Sequence, residues 1–308
     1  MSEAKLDWWH ILSPYADYIR TKTGLSDPLK SLGRIIDYLE QGKIPYRCIQ
    51  SSGKVVAYAI LADSSVTAGR MVGNIGFVSG DEYRKERFRL LLSWLVDFSS
   101  KKGKKLYIDE PFNVPEKNTI DLMREAGFEK IDRFKMEAPL APFSLQPDQK
   151  GITFTTVDYE DSKKLAEYEY SAFINSPDSV LFPETPEERF MFFTESLTSG
   201  SYGSLVKSAS FMAFIGPEVA GAVISMDTGT VEKNKTALIR TLFVLPSFRK
   251  NGIGKLLLLK AMEALALKSY GKVWLQVNSR SLSAISLYEK TGFFRSSEPH
   301  EIFYVYLK

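Results

Sequence analysis

Seven consecutive residues, Arg249-Lys250-Asn251-Gly252-Ile253-Gly254-Lys255, bring cations and glycines together between an apolar run, Leu238 to Leu245, and four leucines, Leu256 to Leu259. That order predicts a strand, a tight loop and a helix. A helix starting there points unpaired backbone N–H groups and the positive end of its dipole at the loop. Glycines let the backbone approach an anion closely, so the chemistry this spacing suits is the cradling of a pyrophosphate. An ordinary glycine turn is the competing reading. Two other phosphate loops fit poorly. A P-loop needs Ser or Thr after Gly-Lys, and Leu256 stands there. A Rossmann turn needs a third glycine and an acid some 20 residues on, where this chain has Leu257 and Gln276.

The elements that must position this loop recur. Phe77-Val78 and Phe243-Val244 are 166 residues apart, as are Leu90-Leu91-Leu92 and Leu256-Leu257-Leu258. Gly127-Phe128 and Gly292-Phe293 are 165 apart, and the strands starting at Val55 and Val219 are 164 apart. Spacings this constant indicate a tandem repeat. Each copy reads as helices, strands, a central helix, a strand, a shorter helix and a last strand, which is an α/β fold with a mixed, mostly antiparallel sheet. The first copy opens on helices at 7–39, with Trp8, Trp9, Ile11, Leu12, Tyr15 and Ile19 on an apolar face. The proline-bearing stretch 141–150 is the expected linker, between domains at 1–140 and 151–308. At the same offsets Arg249, Gly252 and Gly254 become Tyr83, Glu86 and Phe88, and Tyr288 becomes Met123. A carboxylate repels an anion, so the first copy keeps the scaffold and lacks the cradle.

Composition narrows the function classes. The chain has 308 residues, 44% apolar and 25% charged, with a net charge of +3. It reads as two soluble domains without the basic excess of a nucleic-acid or anionic-membrane binder. The basic cluster from Lys101 to Lys105 reads as a solvated helix end. One cysteine, Cys48, and two histidines, His10 and His300, argue against a disulfide, a zinc site and a Ser-His-Asp triad. Neither a basic-then-apolar leader nor a run of membrane-spanning length is visible, so a cytoplasmic protein is expected.

On these residues the C-terminal half resembles the GNAT superfamily of acyl-CoA-dependent N-acyltransferases. Val244-x-Pro246-x-x-Arg249-x-x-Gly252-x-Gly254 is similar to that family's acyl-CoA motif. Val277-Asn278, followed by Ser283 to Phe293, is similar to its second motif. The whole chain resembles a tandem GNAT arrangement, a degenerate half before an intact one. The resemblance implies an acetyl-CoA co-substrate, no metal, and a small-molecule or peptide amine as acceptor. It implies that the backbone of Leu242, Phe243 and Val244 pairs with the pantetheine arm. The N–H groups of Arg249, Lys250, Asn251, Gly252, Ile253, Gly254 and Lys255 would hold the pyrophosphate. Asn278, Ser281 and Ala284 would border the cofactor, and Tyr288 would be the general acid for the departing thiolate, a phenol being protonated at neutral pH.

Two departures stand out. Many relatives carry a glutamate base on the strand before the loop, where this chain has Ile239-Arg240-Thr241. Arg240 cannot act as a base at neutral pH. Ser281 stands where asparagine is common. Acceptor residues are expected from the helices at 158–198, where Glu184, Glu187, Glu188 and Glu195 either attract a cationic amine or form a solvated face. The expected molecule is a monomeric N-acetyltransferase with an internal pseudo-dimer. A non-catalytic acyl-CoA sensor or interaction module is the alternative, and an aminoacyl-tRNA-dependent transferase a third reading that the intact loop disfavours.

Overall fold

A computed structural model describes residues 6–23, 28–64, 69–144, 151–182, 185–200, 202–231, 234–297 and 301–307. The elements of the first half are α1 (Trp8–Thr23), α2 (Pro28–Glu40), β1 (Tyr46–Ser51), β2 (Lys54–Asp63), β3 (Arg70–Phe77), α3 (Lys85–Lys101), β4 (Lys105–Asp109), α4 (Glu116–Glu125) and β5 (Phe128–Pro139). The second half continues with β6 (Ile152–Thr156), α5 (Ser162–Phe173), α6 (Pro186–Thr198), β7 (Ser204–Leu205), β8 (Phe211–Ile215), β9 (Glu218–Val231) and β10 (Asn234–Val244). It closes with α7 (Ile253–Leu267), β11 (Lys272–Asn278), α8 (Leu282–Lys290), β12 (Phe294–Arg295) and β13 (Glu301–Tyr306). Glu184, His300 and linker positions 145–150 lie outside the described residues.

The chain forms two compact units, and their boundaries differ from those expected at 141–150. One unit is Met1–Asp132 with Pro299–Lys308, and the other is Arg133–Glu298. The last strand of each sequence half completes the unit of the other half. In the first unit β13 pairs antiparallel with β4, from Phe303↔Asp109 to Val305↔Tyr107. In the second, β5 pairs antiparallel with β11, from Lys272↔Pro139 to Asn278↔Arg133. An alternating apolar strand satisfies either edge equally well, so patterning alone could not assign these two.

In the first unit the strand order is β1-β2-β3-β4-β13. All neighbours are antiparallel except β3 and β4. Helix α3 buries Phe88, Leu91, Leu92 and Leu95, one stripe at helical spacing, against Ala57, Ala59, Ile75 and Leu106 of the sheet. Helices α1 and α2 cover Tyr58 and Ile60 with Trp8, Ile11, Leu12, Ile36 and Leu39. Trp9 departs from the expected face and is 49% exposed, because one residue of helix turns the side chain about 100°. Cys48 packs partly against this cluster, and burial pushes its thiol up to about 12.

In the second unit the order is β5-β11-β10-β9-β8-β6, with β12 beside β5 and β7 beside β9. Among the described strands of this unit only β10 and β11 run parallel. This is the expected mixed, mostly antiparallel α/β sheet. Helix α7 buries Ile253, Leu257, Leu258, Ala261, Met262 and Leu265 on one face of it. Helices α5 and α6 cover the other with Leu165, Ala166, Phe193 and Leu197. Among the described residues no helix is long and apolar enough to cross a membrane.

The strand exchange makes a clear prediction. Residues 151–308 expressed alone lose β5 from the edge of β11 and leave β13 without β4. We expect no cooperative denaturant transition by circular dichroism from that fragment, whereas the full chain shows one. A cooperative transition in the fragment would show the exchanged strands to be dispensable.

Candidate active site

The site begins where two strands part. β10 and β11 pair at Thr236↔Lys272, Ala237↔Val273 and Leu238↔Trp274 and no further. On their other edges β10 stays paired to Val244↔Gly221 and β11 to Asn278↔Arg133. A wedge therefore opens between residues 239–244 of one strand and 275–278 of the other. The cause is a β-bulge. Between Ile239↔Ser225 and Thr241↔Ile224 the register slips by one residue, leaving Arg240 as the extra residue, and a bulge bends and twists its strand. Successive residues point to opposite edges, and Leu245 N–H already donates to Ala220 C=O on the β9 side. The N–H and C=O of Leu242 and the N–H of Val244 are thus left facing the wedge, with strand geometry and no strand partner, while Phe243 is turned toward β9.

The wedge ends at the loop. Gly252 has φ 79° and ψ −5°, in the left-handed region, and precedes α7 without any side-chain cap. A Cβ on Gly252 would meet nothing within 4 Å, so conformation demands glycine here. Gly254 answers to packing instead. A Cβ there would lie 3.5 Å from both Leu287 and Val244, so anything beyond alanine displaces α8 or β10. Leu256 N–H donates to Gly252 C=O at 3.1 Å. The N–H groups of Ile253, Gly254 and Lys255 then have no acceptor within the helix. Ile253 itself is 1% exposed and core-packed, so only its backbone can serve the loop, while Lys250, Asn251 and Lys255 are exposed.

Arg249 does something other than add charge. Its Nε donates to Val244 C=O at 3.0 Å and its Nη2 to Ala172 C=O at 2.6 Å. It staples the last turn of α5 to the end of β10, and the Val244 carbonyl is no longer available to a third strand. Asn278 is likewise a strut. It is 1% exposed, donates from Nδ2 to Pro177 C=O at 3.3 Å and accepts from Arg280 N–H at 2.9 Å. Ser281 begins α8, accepting the N–H groups of Ala284 and Ile285 at its carbonyl, and its side chain makes no cap. Ala284 packs half-buried on the α7 side.

Tyr288 is 9% exposed and lies against Phe293 at 5.8 Å between ring centroids. Burial, and then the Asp178 carboxylate, raise its pKa well above the usual value, so the phenol keeps its proton throughout the neutral range. The Asp178 Oδ1 is itself buried with no hydrogen-bond partner.

The face covered by α5 and α6 holds charges that sequence reasoning missed. Glu169 and Arg189 are 0% and 1% exposed, 2.8 Å apart, in contact without well-aligned hydrogen bonds. Desolvation lowers the Arg189 pKa and Glu169 opposes that shift. The guanidinium lies 3.7 Å from the Phe182 ring centroid. A signal for the pair existed. Glu169 falls on the stripe of Leu165, Ala166 and Ala172, and Arg189 on that of Phe193 and Leu197. Opposite charges on facing apolar stripes mark a buried pair. The acidic residues named from sequence do less. Glu187 and Glu195 are exposed, and Glu187 and Glu188 sit in the first turn of α6, where acids complement the dipole.

The first unit provides an internal control. Its parallel strands β3 and β4 also stop pairing, after Gly73↔Ile108. There the chain's own Phe112 fills the gap. Its N–H donates to Ile75 C=O at 2.9 Å, Phe77 N–H donates to its C=O at 3.1 Å, and Asn113 Nδ2 donates to Phe77 C=O at 2.9 Å. β2 and β3 stay in register from Asp63↔Met71 to Ala57↔Phe77, with no bulge. Phe88 is fully buried and Tyr83 packs on Phe77 at 5.4 Å. The first copy lacks the loop and has closed its wedge.

Among the described residues no group of three or more His, Cys, Asp or Glu could hold a metal ion. Residues 171–293 match the model of the acetyltransferase (GNAT) family. The fold is similar to that of a GCN5-related N-acetyltransferase from Sphaerobacter thermophilus, at 17% identity and TM-score 0.61, over 99% of this chain and 94% of that one. It is also similar to a GCN5-related glucosamine N-acetyltransferase region of a fungal multi-domain β-N-acetylglucosaminidase, at 13% identity and TM-score 0.59, over 96% of this chain and 36% of that one. A tandem GNAT protein from the clavulanic acid biosynthesis pathway matches at 16% identity and TM-score 0.49, over 85% of this chain and 82% of that one.

The buried pair can be tested by denaturation. Arg189→Met alone strands a buried carboxylate and should cost about 3–5 kcal/mol. Adding Glu169→Leu should recover most of that loss, and failure to recover would mean that the two residues do not act as a pair. The wedge, the capless helix start and the matched segment converge on one conclusion: the C-terminal part of this chain carries a domain of the GNAT acetyltransferase family.

Proposed function

We propose that the second unit is an N-acetyltransferase that moves the acetyl group of acetyl-CoA to a primary amine by direct attack. The observation that carries this reading is the wedge. An extended amide-bearing arm laid along residues Leu242 to Val244 would restore pairing to the groups of Leu242 and Val244 that face the wedge, as an added strand does. Its pyrophosphate would then reach the N–H groups of α7, with Lys250 and Lys255 beside it.

The chemistry needs little else. The neutral amine attacks the thioester carbon, a C–N bond forms, and the carbonyl oxygen takes the negative charge. Collapse of that intermediate breaks the C–S bond, and the sulfur leaves with its electron pair. Tyr288 donates its proton to the sulfur as the charge grows there, and is reprotonated by the proton that the new amide nitrogen releases. Burial makes the phenol a weak acid, so transfer follows C–S cleavage closely rather than preceding it. Arg240 stands where a base would be expected. Water or Asp178, whose Oδ1 has no partner, would take the amine's proton.

The arginine at the bulge gives the sensor reading its one support. Turnover separates the two: a sensor would bind acetyl-CoA yet release no free CoA with any amine.

Gly252→Glu copies the first unit. It forces a Cβ residue into the left-handed region and adds a carboxylate beside the phosphates, and we expect calorimetry to detect no acetyl-CoA binding. Unchanged affinity would falsify the loop's role. Wild type should bind one equivalent per chain, because Phe112 fills the other wedge. Tyr288→Phe should lower kcat by about 10²-fold or more with KM for acetyl-CoA unchanged. Because the phenol's pKa is raised, its proton is in place below the folded value. Tyr288 should therefore add no alkaline limb to the pH–rate profile below about pH 10.

A further inference from the structure

We infer that the acceptor amine carries a carboxylate, and that Arg240 at the bulge of β10 is the residue that holds it. This rests on the acyl-transfer reading of the wedge.

Arg240 occupies the position that separates a working wedge from a closed one. It is the extra residue of the bulge, and 166 residues earlier the first unit has Asn74 in an unbulged strand. Its guanidinium lies on the α5–α6 side of the sheet, 5.3 Å from the Phe192 ring centroid and 4.9 Å from that of Tyr202. Aromatic rings lower the cost of placing this cation there, but they accept no in-plane hydrogen bond. Nε and Nη2 are both shielded from solvent and have no hydrogen-bond partner.

Those two nitrogens are neighbours on one edge of the guanidinium. They form the fork that matches the two oxygens of a carboxylate. Arginine cannot relieve the cost of burial by losing its proton. A folded chain that tolerates two such donors unpaired has a use for them that the protein alone does not fill. Neither acid of this region supplies it: Glu169 is engaged by Arg189 at 2.8 Å, and the buried Asp178 Oδ1 makes no hydrogen bond. Arg189 instead adds a second positive charge to the neighbourhood; burial first, and the Arg240 charge after it, lower the Arg189 pKa, and Glu169 opposes both. An anion is what this pocket lacks.

A complementary group for the other end of such an acceptor is also present. Asp178 acts electrostatically on both Arg189 and Tyr288, and its buried Oδ1 is unpartnered. An amino carboxylate offers each side what it is missing: oxygens to Arg240, and an ammonium hydrogen to Asp178 before that proton is lost. The flanking rings of Phe182, Phe192 and Tyr202 suit a compact monoanion better than a dianionic phosphate, which needs more hydration.

The test uses the full-length chain with free CoA present and measures calorimetric binding of a panel of α-amino acids and β-alanine against their carboxamides, with phosphoethanolamine included. For at least one pair, wild type should bind the carboxylate about 10- to 100-fold more tightly than the carboxamide, the range for charge-assisted hydrogen bonds. Arg240→Gln should erase that preference, and Arg240→Lys, which keeps the charge without the fork, should retain part of it. Both variants should stay folded and melt close to wild type, since no hydrogen bond is lost and only the contacts with the Phe192 and Tyr202 rings change. Equal binding of carboxylate and carboxamide, binding of neither, tighter binding of phosphoethanolamine, or a preference that survives in Arg240→Gln would each overturn the proposal. CoA release is read separately. A carboxylate preference that depends on Arg240, with no CoA released, would sink acyl transfer and leave the anion pocket standing.

Discussion

A strand must satisfy its backbone hydrogen bonds, and β10 stops doing so on one edge after Leu238. Much of the second unit follows from that constraint. Within a folded sheet an unpaired strand edge is costly unless water or a ligand meets it. The bulge at Arg240 creates the edge, the staple from Arg249 to Val244 and Ala172 fixes where it ends, and α7 starts beyond it with its own donors unpaired. The first unit meets the same demand differently, by turning Phe112 and Asn113 back against Ile75 and Phe77. One fold thus appears twice, once with the gap filled from within and once with it left open.

The open gap was only partly legible in the sequence. Glycines and cations at fixed spacing announced the loop because backbone conformation there depends on residue type. Gly252 at φ 79° is such a case. The repeat was legible because packing preserves apolar positions at constant offsets. The bulge was not, since a one-residue slip of pairing leaves no mark in composition beyond a misplaced polar residue. Arg240 was that mark. Read against a motif, it was only a missing glutamate. The role of Arg249 was hidden for a related reason: a side chain that donates to carbonyls and one that meets phosphate look alike in sequence.

Charge within helices carries a separate lesson. Counting acids on α6 directs attention to Glu187, Glu188 and Glu195, which solvent or the helix dipole accounts for. Phase along the helix is more informative than number. Arg189 and Glu169 each occupy a position that their neighbours give to Phe or Leu, so each must be buried, and a buried charge requires a partner. The two stripes name each other. The same reasoning applied to Arg240 finds aromatic rings but no hydrogen-bond partner among the described residues, and that asymmetry separates a structural charge from one awaiting a ligand.

The exchange of β5 and β13 also sets an order of events during synthesis. Domains commonly fold in turn as they leave the ribosome, the earlier one first. Here the first unit lacks the neighbour of β4 until β13 has been made, and β13 follows every residue of the second unit. The early strands must wait, with Ile108 and Leu106 without their final packing, while about 190 further residues, from the end of β4 at Asp109 to the start of β13 at Glu301, are translated at about 5–20 residues per second. For roughly ten seconds or more, β4 is a sheet edge open to any passing chain. A nascent-chain chaperone, or the charges Lys104 and Lys105 at one end of that edge and Asp109 and Glu110 at the other, would protect it until translation brings the closing strand.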